Sequence, residues 1–405
     1  MEMNKIIKNE MYKFFKSRKN IIIMILFFVY LLVINLYNLK QYGLYMKETE
    51  QLYENRYNQA GSMLVSKKIS LEKDEGLTSE KKEILEREIE FYGVERLKLV
   101  LMANTYGEDK PANYKNILTV ENGRYENIIK GMSNGSITEE FLDDRNLKIE
   151  DIYKTMYLNQ YILENEIQPL LNPYIMTGAN SLSMFLDGNN LIILMFIIAL
   201  LSIDIYLSEL AEGSYKLSYT QPFRRNQIFL GKVITIIIIS LALIGLGAIL
   251  NFVIVSIIYG VGDMNYPLIT GEVIKGISFS GNHGRYIILP LWKYVILGFS
   301  LLIPIMLFTI AVVIGISILT DSNSKTLALS IMLIGLAFIF KNFVSRQSIV
   351  NLIYPYSYLF VRDVIELKNY SNYLLGILLN TLIAIGLFIM SYHKFIHKDF
   401  LGARE

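Results

Sequence analysis

Six continuous apolar runs, near 21–39, 190–207, 233–259, 294–319, 326–343 and 373–392, decide what this chain can fold into. A helix needs about 20 apolar residues to cross the hydrocarbon core of a bilayer, and each run comes close to that length or exceeds it. Within the core no water satisfies backbone N–H and C=O groups, so a continuous apolar span must bond to itself as a helix. A buried helix of a soluble protein can mimic one such run but not six in one chain. The first run is not a cleavable signal peptide, because it is long and no small-residue cleavage site follows it.

Composition agrees and excludes several classes. Hydrophobic residues make up 53% of the chain and charged residues only 19%, against about a quarter charged in soluble domains. A net charge of +2 lacks the large clustered excess of a nucleic-acid binder. There is no cysteine, which removes disulfides, thiol catalysis and cysteine–zinc sites. His393 and His397 have i, i+4 spacing, but no third ligand accompanies them and they read as solvated tail residues. Abundant Ile, Lys and Asn suit an AT-rich bacterial genome.

Lysine and arginine placement orients the bundle. Lys5, Lys8, Lys13, Lys16, Arg18 and Lys19 precede the first run; Lys216, Arg224, Arg225 and Lys232 follow the second; Lys394, Lys398 and Arg404 close the chain. If all six runs span, these segments share one side, which the positive-inside rule makes cytoplasmic, with both termini inside a bacterial cytoplasmic membrane. The expected organisation is all-α. It comprises an amphipathic interfacial helix at 1–20, transmembrane helix 1 at 21–39, a mostly helical extracellular insertion at 40–187, transmembrane helices 2–6 within 188–392, and a cytoplasmic tail at 393–405.

Charge inside the spans is nearly absent: Asp204 and Lys293 are the exceptions, each near a span end. Ion-coupled carriers place ionisable relays deep in the bundle, so the pattern fits a pump whose energy arrives from a separate protein. Pro304 within the fourth run is either a hinge or a static bend. Gly245, Gly247 and Gly315 permit close helix approach.

In the insertion, Thr78 or Ser79 can cap a helix carrying Leu85, Ile89, Tyr92 and Leu99 at helical spacing, with Glu83–Arg87 as an i, i+4 pair. A second helical pattern starts near Thr138 and places Ile149, Ile152, Tyr153, Met156 and Tyr157 on one face. Between them, about 105–137, Asn104, Gly107, Gly123, Gly131 and Gly135 predict turns.

Before the first run, Met3, Ile7, Met11 and Phe14 fall on one stripe, with Lys5, Lys8, Lys13 and Lys16 largely off it. Such a helix lies in the interface plane, apolar side in lipid and lysines on headgroups. After the second run comes a charged segment, 209–227. Glu209 and Glu212 follow the span end, Gly213 breaks the chain, Tyr215 begins a polar–apolar alternation, and Pro222 stops any helix that restarts. Arg224 and Arg225 follow, then Gly231 and Lys232 at the start of the next span. By pattern alone this is equally a docking element for a soluble partner or a basic cytoplasmic hairpin.

Here the chain resembles the ABC-2 type permeases, membrane subunits of ATP-binding cassette exporters. The resemblance rests on Glu212, Gly213, Tyr215, Pro222, Arg225, Ile228, Gly231 and Lys232, on the six-span plan and on the amphipathic leading helix. It rests also on the Pro355-containing NLIYPYSYLF segment, similar to the family's external half-helices and expected within 344–372. It covers the membrane part and leaves the insertion outside. The resemblance implies that the leading helix (Ile7, Met11, Phe14, Lys16) and the segment around Glu209, Arg224 and Lys232 couple to an ABC ATPase. The P-loop pattern is absent, since Gly231-Lys232 is followed by Val233 and lacks the upstream glycine. ATP and Mg would therefore bind the ATPase subunit, leaving no catalytic, metal or cofactor site on this chain. The family architecture also implies a second permease copy or paralogue. Two functional readings follow: the permease of an exporter for an amphipathic peptide, antimicrobial or lipid-like compound, or a receptor or assembly scaffold whose external domain binds a partner. A membrane enzyme would need a cluster of His, Asp or Glu at one membrane face, and the sequence shows none.

Overall fold

A computed structural model describes residues 2–73, 78–107, 114–170, 172–211, 224–270, 287–343, 348–365 and 373–397. Among the described residues, six helices are long and apolar enough to cross a membrane. They are α2 (Arg18–Lys73), α8 (Gly188–Ala211), α9 (Arg225–Tyr259), α10 (Leu291–Thr320), α11 (Asn323–Phe343) and α14 (Tyr373–His397). The fold is an all-α integral membrane architecture, with one two-stranded antiparallel ribbon, β1 (Pro267–Thr270) and β2 (Ile287–Pro290), between α9 and α10.

Burial ranks the spans. The central helix is α10, whose Leu301, Leu302, Ile305, Met306, Ile310 and Val313 are fully enclosed and which packs against α8 and α14. Pro304 lies on its buried face, and the helix runs through the proline without interruption. Glycine contacts sort themselves: a Cβ on Gly247 would sit 2.8 Å from the Phe27 ring and one on Gly315 3.3 Å from Ser391 Oγ, whereas Gly245 faces open space. Neutral polar pairs hold α2 to the bundle: Tyr30 Oη donates to Asn190 Oδ1 at 2.6 Å and Asn35 Nδ2 to Asn251 Oδ1 at 2.7 Å. Such pairs stabilise helix association in lipid at less cost than charges.

The first span does not end where its apolar run ends. The helix α2 has 56 residues, about 84 Å at 1.5 Å per residue, so some 50 Å remains beyond residue 39. Met46, Tyr53 and Ala60 recur along it as a buried stripe. Against this stripe folds α3 (Ser79–Gly107), with Leu99, Met102 and Ala103 buried. Thr78 Oγ1 accepts from Lys81 N at 3.5 Å at its start, and Glu83 pairs with Arg87 on its surface.

Residues 108–113 of the segment expected to be turns lie outside the described residues, and the described part of it is mostly helix. Asn104 and Gly107 belong to α3, and α4 (Tyr114–Ser133) passes straight through Gly123 and Gly131. Glycine costs a helix about 0.5–1 kcal/mol relative to alanine, but here it admits a neighbour. A Cβ on Gly131 would lie 2.8 Å from Phe91 Cδ2, and one on Gly123 2.9 Å from Lys98 Nζ. Only Gly135, at φ +76°, turns the chain as expected. The later pattern is two helices, α5 (Glu139–Asp143) and α6 (Ile149–Glu164), separated by a turn with Asn146 at φ 50°.

A buried ion pair, Arg124 Nε to Glu95 Oε1 at 2.9 Å, ties α4 to α3 inside this core. Leu118, Ile162 and Ile167 close its base over Tyr266, just before β1. Beneath, α7 (Gly178–Phe185) leads into α8. After α11 the chain forms α12 (Ile349–Ile353), a 3-10 turn opened by Pro355 (Pro355–Leu359) and α13 (Val361–Ile365). Tyr356 and Tyr358 of that turn are enclosed, Tyr356 against Phe308 with ring centroids 5.1 Å apart.

Candidate functional site

The end of the bundle opposite this long helical extension brings together α1 (Glu2–Lys16), the last turns of α8, the first turns of α9 and the last turn of α14. One glycine explains the docking. Gly231 in α9 has no side chain where Ile6 of α1 arrives, and a Cβ there would meet Ile6 Cγ2 at 2.4 Å. Ser17 separates α1 from α2.

Around that contact four charged side chains close a ring. Lys232 Nζ lies 3.2 Å from Glu10 Oε2 and 3.1 Å from Glu209 Oε2, and donates to Ile205 O at 2.9 Å. Lys13 Nζ lies 2.8 Å from Glu10 Oε1 and 2.7 Å from Glu209 Oε1. Each carboxylate thus gives one oxygen to each ammonium. Lys232, Glu10 and Glu209 are 4%, 6% and 8% exposed, so the ring survives only because its two negative and two positive charges cancel. Partial burial works against the charge of Lys13, but hydrogen bonds to Glu10 and Glu209 outweigh it and hold its pKa above the ordinary lysine value. A second link lies one turn further into α8, where Lys19 Nζ meets Asp204 Oδ1 at 2.7 Å. An aromatic cluster joins the end of α14, with Phe229 and Phe395 centroids 5.3 Å apart and Tyr206 and Phe395 5.9 Å apart. Arg225 Nη1 donates to Ile396 O at 3.0 Å.

Of the residues expected to form a coupling segment, Glu209 and Lys232 meet in this ring, Arg225 reaches α14, and Arg224 stands exposed at the start of α9, its N–H donating to Gln227 Oε1 at 3.1 Å. Glu212, Gly213, Tyr215 and Pro222 lie outside the described residues. On α1, Phe14 is buried against protein, Ile7 and Met11 are half-buried beside it, and Lys16 is exposed. The stripe expected to lie in lipid is therefore shared: its Phe14 edge packs on the bundle. The ring also qualifies the sequence-based view that buried charge is confined to Asp204 and Lys293. Lys293 is exposed, and among the described residues of the membrane part the enclosed charges are Glu10, Glu209 and Lys232, at one end rather than mid-span. Glu10 was not singled out from the sequence, and Lys13, expected with the other lysines on headgroups, pairs instead with Glu10 and Glu209. The available signal was an acid between Ile6 and Phe14 at i, i+4 spacing on an otherwise apolar face, a placement that demands a buried cation nearby.

His397 Nδ1 lies 2.8 Å from His393 O, and no group of three or more metal-ligating side chains occurs among the described residues.

The ring ties the end of α8 (Glu209) and the start of α9 (Lys232) to Glu10 and Lys13 of α1. No curated protein and no solved structure matches the chain. A family model described as ABC-2 family transporter protein matches residues 4–372. The match runs through 40–187, so the insertion is not outside the resemblance as the motifs alone suggested, and it stops before α14. The chain belongs to the ABC-2 transporter family, as a multi-pass membrane permease.

Proposed function

We propose that the chain is the membrane half of an ATP-driven exporter, powered by a separate ABC ATPase that binds ATP and Mg. The ionic ring carries this reading. The ATPase pushes on the segment after α8, around residues 209–227, and the ring passes the displacement to α1 and the base of α2. Neutral pairs rather than relays line the spans, which suits energy delivered from outside the bundle. In this reading both termini and residues 209–227 are cytoplasmic, and residues 40–187 and the Pro355 segment face outward. Pro304 is the point where α10 bends during transport. Two such chains, identical or related, frame the pathway, and the cargo is amphipathic: a peptide, an antimicrobial or a lipid-like compound.

The chain purified from its native membrane should bring a soluble ATPase with it. The double variant Arg224→Glu, Arg225→Glu should reduce the permease-dependent stimulation of that ATPase to near its basal rate. Stimulation equal to wild type would remove the coupling role.

A further inference from the structure

The core of the 40–187 insertion holds more positive than negative charge. Glu95 of α3 is fully enclosed, and three guanidinium groups surround it: Arg56 of α2, Arg124 of α4 and Arg145, which follows α5. The like charge of Arg124 acts on both of the other arginines. Glu121 also faces Arg124 but is held by Asn159, and Asp144 beside Arg145 is exposed. Even with Glu121 ionised, three cations face two acids inside the cluster. The ionic ring at the other end of the molecule balances its charges; this cluster does not, and buried charge in excess of its counter-charge is strongly unfavourable.

The hydrogen bonds leave a matching set of atoms over. Arg124 holds Glu95 by one prong only, Nε to Oε1 at 2.9 Å, and the enclosed Arg124 Nη2 and Glu95 Oε2 have no partner among the described residues. Arg145 lies over the Phe141 ring, 3.7 Å from its centroid, and its Nη1 donates to Phe141 O at 3.3 Å, yet its enclosed Nε donates to no described residue. Arg56 Nη2 donates to Arg145 O at 3.2 Å, which keeps these two arginines side by side. Both are half-buried, so the cluster reaches the surface at their edge. Two N–H donors, one carboxylate acceptor and excess positive charge suit an anion that accepts from the arginines and still has a proton to give to Glu95. Chloride and sulfate lack that proton. We propose that Glu95, Arg124 and Arg145 form a binding site for a protonated oxyanion of the hydrogen phosphate type, with Arg56 adding charge at its mouth. Guanidinium groups favour such oxygens through charge-assisted hydrogen bonds. The proposal stands on the core of the insertion and not on the exporter reading.

The test is protease cleavage of the full chain in detergent micelles, followed at cuts within residues 79–164, as inorganic phosphate is raised at neutral pH and constant ionic strength. Both phosphate species present at that pH carry a proton. With dilute protease the cleavage rate tracks the population of the opened form. A ligand of the closed form lowers that population by a factor of 1 + [L]/Kd, so phosphate should slow cleavage in a saturable way, about elevenfold at ten times the concentration that halves the rate. Sulfate, of the same shape but without the proton, should leave the rate unchanged. Arg145→Lys keeps the charge but loses Nε and should weaken the phosphate response by about tenfold or more. Glu95→Gln presents an N–H in place of the acceptor and should let sulfate protect as phosphate does; Arg145→Lys carries the test alone if that variant does not fold. Protection of the wild type by sulfate equal to or greater than that by phosphate would overturn the proposal, because it would show a general anion effect. Protection by neither ion, or an unchanged phosphate response in Arg145→Lys, would overturn it as well.

Discussion

Lys232→Met isolates what the ionic ring does. The ammonium makes three short contacts, at 3.2, 3.1 and 2.9 Å, while almost fully enclosed. Bonds to charged groups contribute about 1.5–3 kcal/mol each, and burying the ammonium costs several kcal/mol. The methionine escapes that cost but leaves Glu10 and Glu209 sharing only Lys13, whose side chain is 40% exposed. The loss expected for breaking a buried pair is about 3–5 kcal/mol. Adding Glu209→Gln removes the uncompensated carboxylate and should recover at least about half of it. The assay is equilibrium unfolding of the purified full chain in mixed micelles, for the wild type, both single variants and the double variant. A loss below about 1 kcal/mol, the value of an exposed pair, would show that the ring is solvated and transmits nothing. A double variant no more stable than Lys232→Met would refute the charge-balance reasoning.

Gly231→Val should drive a methyl group into Ile6, at a cost of about 1–3 kcal/mol, and undock α1; faster labelling of a cysteine at the buried Phe14 position would report it. Gly131→Ala should lose about 1–3 kcal/mol through overpacking against Phe91, seen as cleavage of the 79–164 region at lower protease concentration. Burial raises the pKa of Glu121, although Asn159 donates to Oε2 at 2.7 Å. A carboxyl raised on folding favours the folded state below its unfolded pKa, and that contribution is lost as pH rises through the folded value. Glu121→Gln should therefore flatten the decline in stability from acid towards neutral pH and leave the variant at least as stable as wild type at neutral pH, measured by denaturant unfolding across that range.

Much of the architecture was legible because it depends on short-range pattern. Each of the six spans follows from a local sum of transfer free energies, and Thr78, Glu83 and Arg87 announce the start of α3 by spacing alone. Legibility failed where a residue's meaning depends on a distant neighbour. Gly123 and Gly131 carry the same local signal as Gly135, yet two of them admit α3 against α4 and only the third makes a turn. The end of the first apolar run looks like the end of a helix, but Met46, Tyr53 and Ala60 find a partner in α3 and α2 continues.

The sequence by itself determined that this is a six-span helical membrane protein with an amphipathic leading helix and a charged segment after the second span, because hydropathy and helical period add up residue by residue. Only the tertiary structure decided that Glu10, 222 positions from Lys232, completes a neutral ring with Glu209 and Lys13. A buried charge is tolerable only beside its counter-charge, and which charges meet is settled by the faces that helices present to one another, here by the gap at Gly231 into which Ile6 fits.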